Sequence, residues 1–327
     1  MSAPGQLSPP IAVVSFNRPH YLALVLDSLL AQTALHGRQV FLFQDNAVSA
    51  ISEIRYASDD EIATCVESFR ARFPDGRVFL SPHNLGVSAN ILRAEEFLFS
   101  DLGSETAYFL EDDMVLSPHY LDMMDRIATY VAHTERVGYF AAYGHLTLPL
   151  AQQRQHAARM GRLSYNWAFG LTRKHWRELR EWLDPFYRIS DGFDYPAVPR
   201  RDIAAHYRAL GLPLVGATQD IVKKMGTYAL GRVAINTVAV FGRNIGETGF
   251  HFDPEKFRRD GFGATELYPE PVHLEFPTAS ELDRLHAEEM ESCWAHYNAY
   301  LAGKTRHASK RLPRLKAAWK RLLHPYP

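Results

Sequence analysis

The segment AYFLEDDM, residues 107–114, runs four apolar residues straight into three consecutive carboxylates, Glu111, Asp112 and Asp113. A short apolar run of this kind reads as a strand buried on both faces, as in parallel sheets. Three runs upstream have the same character: IAVVSF at 11–16, VFLFQD at 40–45 and RVFLSP at 77–82. Between them lie HYLALVLDSLLAQT after Pro19, DDEIATCVESFRARF at 59–73 and NLGVSANILRAEEFLFSDL from Asn84, all with apolar residues at helical spacing. This alternation of strand and helix predicts an α/β fold around a parallel sheet. In such sheets ligands bind beyond the carboxyl ends of the strands. Arg18, Asp45 and the Glu111-Asp112-Asp113 triplet all fall at those ends.

The second half is less regular. SPHYLDMMDRIATYVAHT predicts a helix with Ser117 as cap and Pro118 at its first position. VGYFAAYG is a short strand, and the polar stretch 150–162 is expected to be a loop. NWAFGLTRKHWRELREWL passes from a strand into an amphipathic helix, followed by a predicted loop over 184–202 and a helix over 203–210. TQDIVKKMGTYALG, 218–231, predicts a helix with Asp220 in its first turn, and RVAINTVAVFGRNIGETGFHF a strand and a Gly-rich loop. No repeat or flexible linker is visible. The simplest partition is a main domain over 8–252, a helical extension over 253–303 and a basic tail over 304–327.

Composition bounds the alternatives. The 327 residues are 46% apolar, with 36 Lys+Arg against 37 Asp+Glu and two cysteines. These are the proportions of a folded protein rather than a disordered one. The formal charge of −1 gives no global reason to expect nucleic acid as a partner. Cys65 and Cys293 are too few for a disulfide scaffold or a thiolate metal site. The N-terminus has no basic or apolar region of a secretory signal, and no apolar run approaches the ~20 residues of a membrane span.

Three adjacent carboxylates repel one another unless a cation shares their site. Mg²⁺ or Mn²⁺ would serve, because both favour one or two carboxylates completed by phosphate oxygens. The alternative is a solvated acidic turn that caps the next helix.

FLEDDMVLSPHYLDMM resembles the Glu-Asp-Asp form of the DxD motif in GT-A glycosyltransferases, particularly the N-acetylglucosaminyltransferase I type. IAVVSFNRPHYLALVLDSLL and VFLFQDN resemble the first strand with its Arg and the second strand of that family, and NLGVSAN resembles a segment common in the wider class. The resemblance spans about residues 10–250. It implies a GT-A, Rossmann-like fold: a central mixed, mostly parallel sheet flanked by helices, here with a C-terminal helical extension. It implies metal-dependent, inverting transfer of a hexosyl or N-acetylhexosaminyl group from a nucleotide-sugar, a UDP-sugar first, to a hydroxyl of a glycan or lipid-linked glycan.

Carried over by position, the resemblance makes Asp113 the ligand of Mn²⁺ or Mg²⁺ and sets Glu111 and Asp112 against sugar and ribose hydroxyls. Asp45 would read the base, and Arg18 would lie against the nucleotide. Asp220 is the candidate general base, although Gln219-Asp220 stands where an aromatic and paired acids are expected; Asp191 and Asp194 are competing acids. Glycines 242, 246 and 249 suit a loop that closes over a diphosphate, with Arg243 as a phosphate contact and His251 as a further metal ligand. Tyr165, Trp167 and Phe169 would stack on a sugar or pack in the core. Two rivals remain: a nucleotidyltransferase, whose Gly-rich phosphate loop after the first strand NRPHY lacks, and a non-catalytic nucleotide- or sugar-binding module.

From Ser292 to Pro327 there is no acid, and KTRHASKRLPRLKAAWKRLLHPYP carries eight Lys or Arg. Leu312, Leu315, Trp319 and Leu322 recur at helical spacing, so the segment reads as a basic amphipathic helix for an anionic membrane surface. The bland alternative is a helix docked on the domain. With no span, the expectation is a cytoplasmic protein, peripheral at the inner membrane face.

Overall fold

The computed structural model describes residues 8–249 and 252–323, with side chains described through residue 303. The first half follows the expected alternation: β1 (Ile11–Ser15), α1 (Pro19–Leu30), β2 (Val40–Gln44), α2 (Asp59–Arg72), β3 (Arg77–Leu80), α3 (Gly86–Glu96) and β4 (Thr106–Glu111). A short strand β5 (Met114–Leu116), α4 (Tyr120–Val131), β6 (Val137–Ala141), α5 (Leu150–His156), β7 (Met160–Arg162) and β8 (Ala168–Thr172) come next. They are followed by α6 (Arg173–Ser190), α7 (Arg200–Ala209), α8 (Gln219–Ala229), β9 (Val233–Thr237), β10 (Gly242–Asn244), α9 (Pro254–Arg259) and the long α10 (Ala279–Leu323).

Eight strands form one mixed, mostly parallel sheet in the order β3-β2-β1-β4-β8-β6-β9-β7, flanked by helices. The left side, β3-β2-β1-β4, is wholly parallel, and β8 runs antiparallel between β4 and β6. All five residues of β1 and of β2 are buried, as continuous apolar runs require. Helix α1 buries Tyr21, Leu22, Val25, Leu26 and Leu29, one stripe at helical spacing, each worth about 1.5–3 kcal/mol of burial. Helix α2 opens on a capping box in which Ser58 and Glu61 exchange hydrogen bonds with each other's backbone.

The sheet departs from expectation where the chain is polar or carries proline. The predicted loop 150–162 instead holds α5 and β7, the strand at the far edge, which pairs with β9. An edge strand needs no continuous apolar run, so β7 left no hydropathy signal. The predicted loop 184–202 is occupied up to Ser190 by α6, which continues through Pro185. Helix α4 begins at Tyr120 after His119 rather than on a Ser117 cap. The predicted strand 107–114 breaks after Glu111, and β5 turns away to pair with β10. Asp112 and Asp113 therefore sit at the point where the chain leaves the main sheet.

Phe257, Phe262, Tyr268, Leu274, Leu282 and Leu285 join the same core as the sheet. Further along α10 the surface opens, with Trp294 and Leu301 each 42% exposed. The stripe from Leu312 to Leu322 lies on α10 but outside the residues whose side chains are described. Among the described residues no helix is long and apolar enough to cross a membrane.

Candidate active site

A cleft of about 690 Å³ opens at the carboxyl ends of β1, β2 and β4. Its lining brings together Arg18, Asp45, Glu111, Asp112, Asp113 and Asp220, which are drawn from four separate stretches of sequence.

Arg18 follows β1 and faces both aspartates of the triplet. Its Nη1 donates to Asp113 Oδ2 at 2.8 Å, and Nη2 donates to Asp112 Oδ1. Asp112 Oδ2 also accepts the Phe16 amide at 3.3 Å, so the carboxylate is turned toward the end of β1. Burial works against the charge on Arg18, but Asp112 and Asp113 outweigh it and hold the guanidinium protonated. Glu111 is half-buried and has no hydrogen-bond partner for its carboxyl among the described residues. Burial first and the Asp113 charge second push that carboxyl well above the usual carboxylate range. Asp113 is likewise raised by burial, with Arg18 pulling it back.

The β5–β10 pair supplies a partner for Asp113 that the sequence did not announce. It sets Asn244 opposite Met114, and Asn244 Nδ2 donates to Asp113 Oδ1 at 3.3 Å. Asn244 Oδ1 accepts the Gly246 amide at 2.8 Å, which lays the following loop over Asp113. A Cβ at Gly246 would overlap Asp113 Oδ2, so only glycine leaves that oxygen approachable.

Asp45 has a different environment. Its Oδ1 accepts the amides of Asn46 and Leu85 at 2.9 and 2.8 Å, and its Oδ2 accepts the Gly86 amide at 2.9 Å and Asn84 Nδ2 at 3.2 Å. The carboxylate thus ties β2 to the start of α3, with both oxygens engaged. Gly86 has φ +74° and packs against Tyr195, whose Cβ would lie 2.7 Å from an added methyl. Both demands exclude a side chain at this position.

Asp220 is exposed in the first turn of α8, where Thr218 Oγ1 donates to its Oδ1. It is near enough to Glu111 to raise that carboxyl further. Its helix is held from beneath. Gln219 Nε2 donates to Ser88 O at 2.9 Å and to Tyr187 Oη at 2.6 Å, and Lys223 Nζ donates to Glu95 Oε1 at 2.5 Å. These bonds fasten the first turns of α8 to α3 and α6.

Other expected residues fall elsewhere. Arg243 is exposed on β10 and is not in the cleft lining, because strand alternation turns it away while Asn244 points in. His251 lies outside the described residues. Asp194 is bound by Ser49 Oγ at 2.5 Å, Ser52 Oγ and Tyr56 Oη at 2.8 Å, which pin its loop to the 49–56 segment. Tyr165 and Trp167 stack at 4.2 Å in the cleft wall, whereas Phe169 is buried and stacks on Phe109. Asn244, Tyr195 and the Lys223–Glu95 pair were not foreseen. The one available signal was Gly86-containing NLGVSAN, whose positive φ needs a close neighbour but does not name it.

Among the described residues no three His, Cys, Asp or Glu side chains form a set of cation ligands. A hard cation completed by ligand oxygens would fit with Asp113 as its protein ligand, in exchange for the Arg18 guanidinium now on Oδ2. The gap left by Gly246 and the position of the Arg18 guanidinium, which now supplies the positive charge, are the observations behind that fit.

No protein-family model matches the chain, and no curated protein matches it. Among solved structures, the chain is similar to TarS of S. aureus at 15% identity and TM-score 0.28, over 42% of this chain and 21% of that one. GalNAc-T7, solved with UDP, GalNAc and Mn²⁺, is similar at 10% identity and TM-score 0.44, over 72% of this chain and 43% of that one. CMP:2-keto-3-deoxy-manno-octonic acid synthetase, solved with CTP, is similar at 8% identity and TM-score 0.38, over 77% and 96%. The chain thus spans less than two thirds of the length of the first two.

Proposed function

We propose that the cleft binds a nucleotide-sugar together with Mn²⁺ or Mg²⁺ and transfers the sugar, with inversion, to a hydroxyl of a glycan or glycolipid. A GT-A glycosyltransferase of hexosyl or N-acetylhexosaminyl type is the enzyme class this reading names. The observation that carries it is the meeting of Asp220 with the acids at the end of β4 across one cleft. An exposed carboxylate at a helix start, facing a buried acidic site rich enough in negative charge to demand a cation, matches what an inverting transfer needs: a base on one side and a charged leaving group on the other.

In this reading Asp220 removes the proton from the acceptor hydroxyl, whose oxygen forms a bond to the anomeric carbon. The bond from that carbon to the diphosphate breaks on the opposite face, and its electron pair leaves with the diphosphate. Asp113 would hold the divalent cation, which would supply charge stabilisation to the leaving diphosphate. Arg18 stays on Asp112 and keeps a second positive charge beside the phosphates. Glu111, whose carboxyl pKa is pushed upward by burial and the Asp113 charge, faces a sugar hydroxyl. Asp45 shapes the nucleotide site through the 84–86 turn, because its own oxygens are already engaged.

The test is a thermal-shift titration of UDP with and without Mn²⁺, followed by turnover of Asp220→Asn. UDP should stabilise the protein only when the metal is present. Asp220→Asn should keep that shift while losing about 10²–10⁴-fold in rate. Absence of any metal-dependent shift, or near-normal turnover in the variant, sinks the reading. The tail over 304–327 is proposed to hold the enzyme on anionic lipid. Its removal should release the protein from phosphatidylserine vesicles, and unchanged binding counts against that role.

A further inference from the structure

Beside the cleft lies a second cavity of about 440 Å³, within the range of small-molecule sites. Asn84, Tyr195 and Thr218 line both spaces, so the two adjoin next to Asp220. The walls of the second cavity are mainly Ile51, Phe186, Tyr187, Phe193, Tyr195 and Val198. Phe193 and Ile51 are 47% and 55% exposed, so two large apolar side chains stand open to solvent in the wall of the same cavity.

The polar groups of these walls are largely used within the protein. Ser190 Oγ donates to Phe186 O at 2.8 Å, Tyr187 Oη accepts from Gln219, and Asn84 Nδ2 donates to Asn46 O at 2.8 Å. Arg200 donates to Tyr195 O at 2.8 Å and lies over the Tyr195 ring at 4.9 Å. Asp191, exposed, and His83 and Ser88, half-buried, are the further polar side chains of the lining. A bare sugar, which needs several hydrogen bonds to replace those it makes with water, finds few partners here. An apolar ring finds flat aromatic walls.

We propose that this cavity holds a ring-sized apolar group of the acceptor, so that its attached hydroxyl reaches Asp220 past Thr218 and Tyr195. The assignment rests on the neighbouring cleft being the donor site. It makes the acceptor an aryl glycoside or a similar hydroxyl compound with an apolar ring, rather than a free sugar.

The test titrates the full chain with p-nitrophenyl β-D-glucopyranoside, octyl glucoside below its micelle concentration, and glucose, each followed by calorimetry. The UDP–Mn²⁺ thermal shift is recorded in parallel. The aryl glucoside should bind at least about 10-fold more tightly than glucose, a difference of about 1.4 kcal/mol. Phe193→Ser, at an exposed position, and Ala89→Phe, which fills the cavity from α3, should each erase most of that preference and leave the UDP–Mn²⁺ shift intact. Equal binding of aryl glucoside and glucose, a preference that survives both substitutions, or tighter binding of the octyl compound overturns the proposal. If the aryl preference holds and the UDP–Mn²⁺ shift is missing, the cavity stands as an apolar-ring site and the donor reading falls. If the shift is present without the preference, the donor reading stands and the acceptor assignment falls.

Discussion

Two ionic clusters of this protein differ in their arithmetic. Lys223 and Glu95 are 3% and 1% exposed, one cation against one anion, 2.5 Å apart between α8 and α3. At the end of β4, Arg18 is the one cation among the described residues paired with the aspartates of the Glu111-Asp112-Asp113 triplet, with Asp220 facing them. The first cluster is closed, since its charges cancel within the fold. The second is open, because one guanidinium is shared between two aspartates with Glu111 beside them, and on the proposed reading a divalent cation answers the excess. Burial is common to both; the imbalance marks the second as a site and the first as a clamp.

The largest expected effect comes from breaking the closed cluster. Lys223→Met leaves the Glu95 carboxyl buried without a counter-charge, which should cost about 3–5 kcal/mol of stability in urea denaturation. Part of this is recovered if Glu95 takes up a proton, a step that its raised pKa, set by burial, already favours. The double variant Lys223→Met/Glu95→Leu removes both charges and should lie much closer to wild type. A single substitution that costs under about 1 kcal/mol would mean that the pair does not hold α8 on α3.

Arg18→Gln breaks the open cluster and should cost less, about 1–3 kcal/mol, because the Arg18 side chain is 25% exposed, so water can enter the place its guanidinium leaves beside the buried Asp112 and Asp113. The two clusters should then part company. Mn²⁺ ought to raise the melting temperature of Arg18→Gln more than that of wild type, since the guanidinium no longer competes for Asp113. It should not rescue Lys223→Met. Equal responses of wild type and Arg18→Gln to Mn²⁺ would show that Arg18 does not stand where a cation binds.

The same contrast explains how much the sequence disclosed. The left side of the sheet was legible because β1, β2 and β4 are unbroken apolar runs separated by helical spacing, and the acids of the open cluster stand at their ends. Asp220 was legible as a first-turn acid on α8. The closed pair was not, because its members are 128 positions apart and a lysine on a helix ordinarily points to solvent. Asn244 was hidden for a similar reason: it meets Asp113 only through the β5–β10 pairing. Arg243, its neighbour, was the expected residue because a cation near a phosphate is easy to propose, while the strand register that turns it outward cannot be read from composition. β7 and the continuation of α6 past Pro185 were missed because edge pairing and tertiary packing override local polarity and proline signals.

A last contrast separates the interior from the cleft by pH. His175 is fully buried on α6, with Nε2 3.0 Å from Thr227 Oγ1 on α8 and its ring edge-on to Tyr139 on β6. Glu178, one turn along α6, lies 3.5 Å from Nδ1, but Arg232 has claimed that carboxylate through two hydrogen bonds of 2.7 and 2.6 Å. Burial, and then the positive charge of Arg232, lower the His175 pKa from 6.5 to about 3. Between those values the unfolded chain binds a proton that the folded one refuses, so stability is complete above pH 6.5 and falls as pH drops toward 3. The slope should approach about 1.4 kcal/mol per pH unit from this residue alone. His175→Gln, which can still meet Thr227, should flatten the acid limb measured by urea midpoints between pH 6.5 and 4.5. The pH dependence of UDP–Mn²⁺ binding, governed by the open cluster, should not change with it. An acid limb of equal slope in the variant would place the responsible proton elsewhere, and a shifted binding profile would join the two regions that the charge balance sets apart.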